Sequence, residues 1–294
     1  MEQVGSILVI FTMDILYKEM LVSMFFQLPR DNQEVRPIEF YIEHGRQTLE
    51  LPYPMALFCD STTRPHLEAI RGTRPTHYIE KALEDYDYVR DLLPLIRKNR
   101  EGRASYINHR NTPHYFMVCM FKIYAIYQTS VLFPDSTYIW VDLGGSHIIR
   151  NFAKGLPAIV DAPKPKIACC YIHYRTKKEL YPMESYLREG GPCGIACGLF
   201  SVEHSYAHKL FTAAFGILYQ QISRGVGHGE EQCMLYVYDQ HPEWFSLYFG
   251  DYYSLVTNYH KTIEDKHSVE YFFIQNAERD DQCELVRLAR TSME

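Results

Sequence analysis

The sequence predicts an α/β fold: one domain with a mostly parallel central sheet flanked by helices. Two observations predict it. Short continuous apolar runs with β-branched residues, such as Ile7-Leu8-Val9-Ile10-Phe11, suit strands buried on both faces. Such runs alternate with longer amphipathic segments through the first 150 residues, as βαβ units require.

Taken in order, Ile7 to Phe11 is the expected first strand, with Thr12-Met13-Asp14 at its carboxyl end. Ile15 to Leu28 reads as an amphipathic helix stopped by Pro29, and 30–36 as a polar loop. Ile38 to Ile42 alternates and is expected to be extended. Pro54 to Cys59 is an expected buried strand, ending in Asp60-Ser61-Thr62-Thr63. Ser61 or Thr62 is the candidate cap of the helix through Leu67 and Ile70.

Residues 76–99 read as helical, with acidic residues early and Arg97-Lys98 late, as the helix dipole favours. Residues 100–113 are loop-like. Pro113 opens an apolar helix, His114 to Tyr127, that carries the cation Lys122. Strands are expected at Thr137 to Val141, Ile167 to Tyr174 and Gly194 to Phe200, with a hard break at Gly190-Gly191-Pro192. Ser201 is the expected cap of a long helix to Ser223. A glycine loop at 225–229 precedes a short helix, Glu230 to Asp239. Ser254 to Thr257 and Val269 to Ile274 are further strand candidates.

Composition narrows the function classes. The chain has 294 residues, 47% hydrophobic and 22% charged, enough to bury a sizeable core without staples. A formal net charge of −6 and the lack of a long basic run argue against nonspecific nucleic-acid binding. The eight cysteines are scattered, mostly in apolar runs, with no zinc-type pairing of C-x-x-C repeats, so a reducing compartment is expected. The apolar run Ile7 to Met13 is too short to span a membrane and no run of about 20 apolar residues is found, so a soluble, cytoplasmic protein without a transmembrane segment is expected. The 24 Tyr, 16 Phe and 2 Trp suit either a tyrosine-rich core or sugar and base recognition.

In open α/β sheets ligands bind beyond the carboxyl ends of the strands. That selects Thr12 to Asp14, Asp60 to Thr63 and Asp142 to His147 as a converging rim. Asp142 closes the run Tyr138-Ile139-Trp140-Val141, and Gly144-Gly145 let the backbone turn sharply. A carboxylate there either holds a Mn or Mg ion on a diphosphate or caps a turn. His147 is a weaker candidate for metal or phosphate. Arg71, Arg74 and Lys122 are candidates to neutralise a diphosphate, or to be paired within the structure. Lys122 needs a partner or must snorkel outward, because its helix is otherwise apolar. Gly198 allows close backbone approach to a sugar or phosphate. Glu230 and Glu231 open a helix, where they suit general-base chemistry on a hydroxyl or simply complement the dipole.

Four stretches carry a family resemblance. Met120-Phe121-Lys122 through Phe133-Pro134-Asp135-Ser136 into Trp140-Val141-Asp142-Leu143-Gly144 is similar to the HtrL/YibB family. So are Cys197-Gly198-Leu199-Phe200, Gly229-Glu230-Glu231-Gln232 and His241-Pro242-Glu243-Trp244-Phe245, in order over about residues 5–260. Those proteins are associated with cell-surface polysaccharide genes and resemble glycosyltransferases of the GT-A fold. The resemblance implies transfer of a sugar from a nucleotide-diphosphate sugar to a glycan hydroxyl. Residues 1–150 would bind the nucleotide-sugar and 151–294 the acceptor. Thr12, Asp60, Arg71, Lys122, Asp142 and Gly144 would face the donor, Gly198 and Gln232 the acceptor sugar. Glu231 is preferred over Glu230 as the base because it aligns with an acidic-Gln pair. GT-A enzymes hold a metal with Asp-x-Asp. Here Gly144 stands at the second position, so a second ligand must come from elsewhere, with His260 the candidate, or cations replace the metal. A non-catalytic glycan- or nucleotide-binding module on the same fold is the alternative. A nucleotidyltransferase is disfavoured, because no basic, glycine-rich phosphate loop follows the first strand.

Overall fold

A computed structural model describes residues 17–28, 37–100, 112–172, 175, 177–188, 194–226 and 229–260. Within them one seven-stranded sheet forms the centre, in the order β3-β2-β1-β4-β6-β5-β7. The strands are β1 (Glu19–Phe25), β2 (Met55–Cys59), β3 (Thr76–Glu80), β4 (Thr137–Val141), β5 (Ile167–Tyr171), β6 (Ile195–Glu203) and β7 (Phe245–Phe249). Pairing is parallel except around β6, which runs antiparallel to both β4 and β5. The expected α/β class with a mostly parallel sheet is therefore what the chain adopts.

Helices cover both faces. On one side α1 (Ile38–Leu49), α2 (Arg64–Arg71) and α5 (Phe152–Asp161) pack with Leu21, Leu57, Ile139 and Ala168. On the other, α3 (Asp87–Arg100), α4 (Pro113–Leu132), α8 (His204–Ser223) and α9 (Glu230–Gln240) pack with Met20, Val22, Trp140 and Phe200. Two short helices, α6 (Lys177–Leu180) and α7 (Met183–Arg188), lie between β5 and β6 in sequence. Every residue of β2 and β5 is buried, as continuous apolar strands under two helical layers must be.

Several expectations are corrected. Residues 19–25, expected within a helix, form the inner strand β1, flanked by β2 and β4. Met20, Leu21 and Val22 are all fully buried and alternate between the two cores, which only a strand allows. The expected strand Ile7–Phe11, with Thr12, lies outside the described residues, as do the break at 190–192 and the candidate strand Val269–Ile274. Ile38–Ile42 opens α1 instead of a strand. Ile38, Tyr41, Ile42, Gly45 and Leu49 make a helical stripe, and Pro37 is preset for the helix start. The expected helix 76–99 splits into β3, a turn at Leu83–Asp85, and α3, because Thr76, His77, Tyr78 and Ile79 pair along β2.

Asp60, rather than Ser61 or Thr62, caps the turn into α2: its Oδ1 accepts from Thr62 N and Thr63 N, both at 2.9 Å. Ser201 is no cap. It sits inside β6, its hydroxyl 2.6 Å from that of Tyr259, while Glu203 precedes α8. Residues 254–257 form turns, not a strand. Asp251 Oδ1 accepts from Tyr253 N and Ser254 N and folds the chain back, so that Leu255, Val256 and Tyr259 reach the core. The late strand is β7, which pairs with β5.

α4 is long and apolar enough to cross a membrane by length and composition alone. Here it is a core helix between the sheet, α3, α8 and α9. Thr112 caps it, accepting from Tyr115 N at 3.1 Å.

Candidate functional site

Because β6 is reversed, its amino end meets the carboxyl end of β5, and its middle, at Leu199, meets the carboxyl end of β4. Asp142, the residue after β4, donates its backbone N–H to Gly198 O (3.0 Å). Trp140 lies two residues earlier on the same side of the strand, and its indole N–H donates to Asp142 Oδ1 at 2.7 Å. Lys122 reaches in from α4. Its Nζ lies 3.0 Å from Asp142 Oδ1, 3.1 Å from Oδ2 and 2.7 Å from Glu230 Oε1. It also donates to Cys197 O at 3.3 Å.

Lys122 and Glu230 are almost sealed, with side chains 10% and 5% exposed; Asp142 at 38% is the open member of the cluster. Burial alone would pull the Lys122 ammonium down. Asp142 and Glu230 outweigh it and hold the group well above the usual lysine range. Desolvation of its inner side and the negative charge of Glu230 push Asp142 up, against the pull of Lys122 and the indole N–H.

Glu231 belongs to the same constellation through Cys197. Its Oε1 accepts from Cys197 N (3.1 Å) and its Oε2 from the Tyr252 hydroxyl (2.7 Å). One peptide unit on each side of Cys197 thus ties Glu231 to Lys122. The reason lies in register. β5 pairs Cys169 with Phe200 and Cys170 with Ala196, so Cys197–Leu199 bulge out of that ladder. The bulge turns the Cys197 amide and carbonyl toward side chains, as bulges near functional sites do. A Cβ on Gly198 would lie 3.6 Å from Asp142 Oδ2, so the glycine leaves the open edge of that carboxylate uncovered.

The structure therefore brings together Lys122, Asp142, Gly198, Glu230 and Glu231. Gly144 lies just beyond, with its carbonyl accepting from His147 Nδ1. Gln232 is buried in α9. Asp60 is at the carboxyl end of β2, engaged by the amides of Gln27, Thr62 and Thr63. Arg71 is not at the rim at all. It is fully buried and donates to the carbonyls of Leu49, Leu51, Tyr53 and Pro75 and to Thr76 Oγ1, so its expected place on a diphosphate is corrected to a role in the core. His260 turns to Ala158 O (3.1 Å), and among the described residues it shares no partner with Asp142.

That geometry bears on the expected Mn or Mg ion. Among the described residues no three His, Cys, Asp or Glu side chains are grouped to hold a metal. The inner edge of Asp142 already carries an ammonium and an indole N–H, both of which an ion would have to displace. These side chains do not fit a divalent-metal centre of their own.

Sequence reasoning missed Trp140, Cys197 and Tyr252 as parts of the site. The period-2 relation of Trp140 to Asp142 was a usable signal. The contribution of Cys197 depends on a bulge and had none. Tyr115 and Cys119 were also readable, since they share a face of α4 with Lys122 at i, i+4 and i+7 and feel the charge of Glu230.

No protein-family model matches the chain, and no curated protein matches it. Among solved structures it is similar to mouse xyloside xylosyltransferase 1 in its apo form, at 14% identity and a TM-score of 0.43, over 77% of this chain and 83% of that one. It is also similar to Rv0371c from Mycobacterium tuberculosis H37Rv, at 11% identity and a TM-score of 0.36, over 80% and 89% of the two chains. The manganese complex of that protein aligns at 9% identity and a TM-score of 0.35, over 80% and 88%.

Proposed function

We propose that the chain is a GT-A-like glycosyltransferase of the HtrL/YibB kind, moving a sugar from a nucleotide-diphosphate sugar to a glycan hydroxyl. One observation carries the reading. An open carboxylate, Asp142, and a second carboxylate, Glu231, are held in a single hydrogen-bonded unit where β4 ends against the reversed strand β6. Ligands of open α/β sheets sit at that edge.

In this reading the open edge of Asp142 accepts a hydroxyl of the donor sugar. Glu231, oriented by the Cys197 amide and the Tyr252 hydroxyl, accepts the proton of the attacking acceptor hydroxyl. Glu230 is less suited to that role, being sealed against Lys122. Lys122 fixes Asp142 and offsets the two carboxylates nearest to it. No step is assigned to manganese or magnesium.

Thermal unfolding with UDP, GDP, ADP and CDP, each with and without manganese, tests the proposal on the native chain and on Asp142→Asn. A ligand at about 100 times its Kd stabilises the folded state by roughly 2.7 kcal/mol. The expected result is a raised Tm with one nucleotide, diminished in Asp142→Asn. No shift with any nucleotide at millimolar concentration sinks the transferase reading and favours the glycan-binding module.

A further inference from the structure

Independently of the transferase reading, we infer that His44 and His147 form a zinc-binding site. It lies where α1 meets the short helical turn Gly145–His147, just beyond Asp142.

Both imidazoles are fixed through the same nitrogen. His44 Nδ1 lies 2.7 Å from Phe40 O, and His147 Nδ1 is bonded to Gly144 O. A carbonyl oxygen only accepts, so Nδ1 carries the proton in both rings. The neutral ring then keeps its lone pair on Nε2, the form that binds a metal. Histidines that ligate metals are held in this way, with the other ring nitrogen donating to a carbonyl or carboxylate. The spacing fits as well. A Zn–N bond is about 2.0–2.1 Å, which in a tetrahedral site sets two imidazole centroids about 5.2 Å apart. Those of His44 and His147 are 5.3 Å apart, with their planes at 86°. A plain edge-to-face ring contact accounts for that distance and angle, but not for the tautomer the two rings share.

The frame around the pair is tightly built. A Cβ hydrogen-free Gly45, next to His44, lets α1 approach the turn: a Cβ there would lie 2.6 Å from Leu143 Cγ. The Ser146 hydroxyl donates to His44 O at 2.5 Å, and that of Thr48 to Leu143 O at 3.3 Å. The Phe40 ring stacks on His44 with centroids 4.0 Å apart and meets His147 edge-on at 6.0 Å, which gives the pair an apolar flank. His147 is exposed and His44 half-buried, so an ion has an entry path from solvent. Among the described residues no group of three His, Cys, Asp or Glu is formed here, so water completes the shell and the ion exchanges with solvent. Imidazole ligands select zinc over manganese and magnesium, which prefer oxygen. A zinc ion on both rings would clip α1 to the turn that follows Asp142.

Equilibrium dialysis of the full chain against zinc chloride, with and without excess manganese chloride, tests this. The native chain should hold a zinc ion that manganese does not displace. His44→Gln and His147→Gln should each weaken zinc binding at least about 10-fold. The double variant should bind no more weakly than either single one, because both rings serve one ion. Zinc should also raise the Tm of the native chain and not that of the variants. Should His44→Gln disturb the fold, His147→Gln decides alone, since its ring is exposed. Zinc binding unchanged in both single variants, losses that add in the double variant, or no zinc on the native chain overturns the assignment. Asp142→Asn should keep the zinc, and its loss there would move the ion to the Asp142 cluster and equally overturn the assignment. Nucleoside-diphosphate binding is read separately. Zinc held by the two histidines with no nucleotide bound keeps this site and removes the transferase reading, and the reverse result does the opposite.

Discussion

Lys122 is the residue on which the cluster balances. Removing it in Lys122→Met leaves Glu230 buried and Asp142 half-buried with no counter-charge. Breaking a buried pair from one side costs about 3–5 kcal/mol, and urea unfolding should show a loss of that order. Lys122→Met with Glu230→Gln should recover much of it, since the second change removes the stranded charge. A pH series adds a sign. The folded-state value of Lys122 is raised, so its contribution is fully present below the unfolded lysine value of about 10.4 and is lost as pH rises through the higher folded value. The native chain should therefore lose stability in strongly alkaline solution more steeply than the double variant. At this scale the sequence was informative where chemistry was conspicuous. A lysine in an apolar helix demands a partner, and Asp142, Glu230 and Glu231 stood beside glycines. It misled at Arg71, whose acceptors are mostly backbone carbonyls, around the end of α1 and before β3, and no residue type in the sequence marks those.

At the scale of elements, the hydrophobic pattern located most segments but not always their kind. Val141 and Cys59 end strands where expected, and α4 and α9 begin where expected. β1 was misread because Lys18, Glu19 and Gln27, flanking the apolar run, gave the whole window an amphipathic look, while the run itself has no period to separate a buried strand from a buried helix. β3 was misread because only a short turn separates this edge strand from α3, and charges late in that helix coloured the whole window. Residues 254–257 were taken for a strand, although they belong to a turn that supports α5. There a Cβ on Gly155 would lie 2.0 Å from Val256 Cγ1. Gly155→Ala should cost about 1–3 kcal/mol by overpacking, and Gly155→Ala with Val256→Ala should regain part of it in chemical denaturation. A Gly155→Ala protein as stable as the native one would show that α5 and this turn do not pack as described.

For the whole molecule, the six described cysteines, Cys59, Cys119, Cys169, Cys170, Cys197 and Cys233, are free and buried. Burial pushes the Cys59 and Cys233 thiols up to about 12. Thiolates are the reactive form, so the folded chain should label slowly with a disulfide reagent at neutral pH at all six positions, and rapidly once unfolded. Peptide mapping that finds Cys197 or Cys119 labelled in the native state would contradict the closed site. The reversal of β6 also has a bearing on how the protein comes into being. While the residues between 142 and 230 are being added, Lys122 and Asp142 exist without Glu230, and until β6 is made β4 has an unfilled side with ladder groups exposed. That edge is covered only when the chain doubles back after β5, and the ammonium is sealed only when α9 arrives. A nascent chain stalled before residue 195 is thus an unfinished sheet looking for a strand, open to pairing with its neighbours on the same messenger.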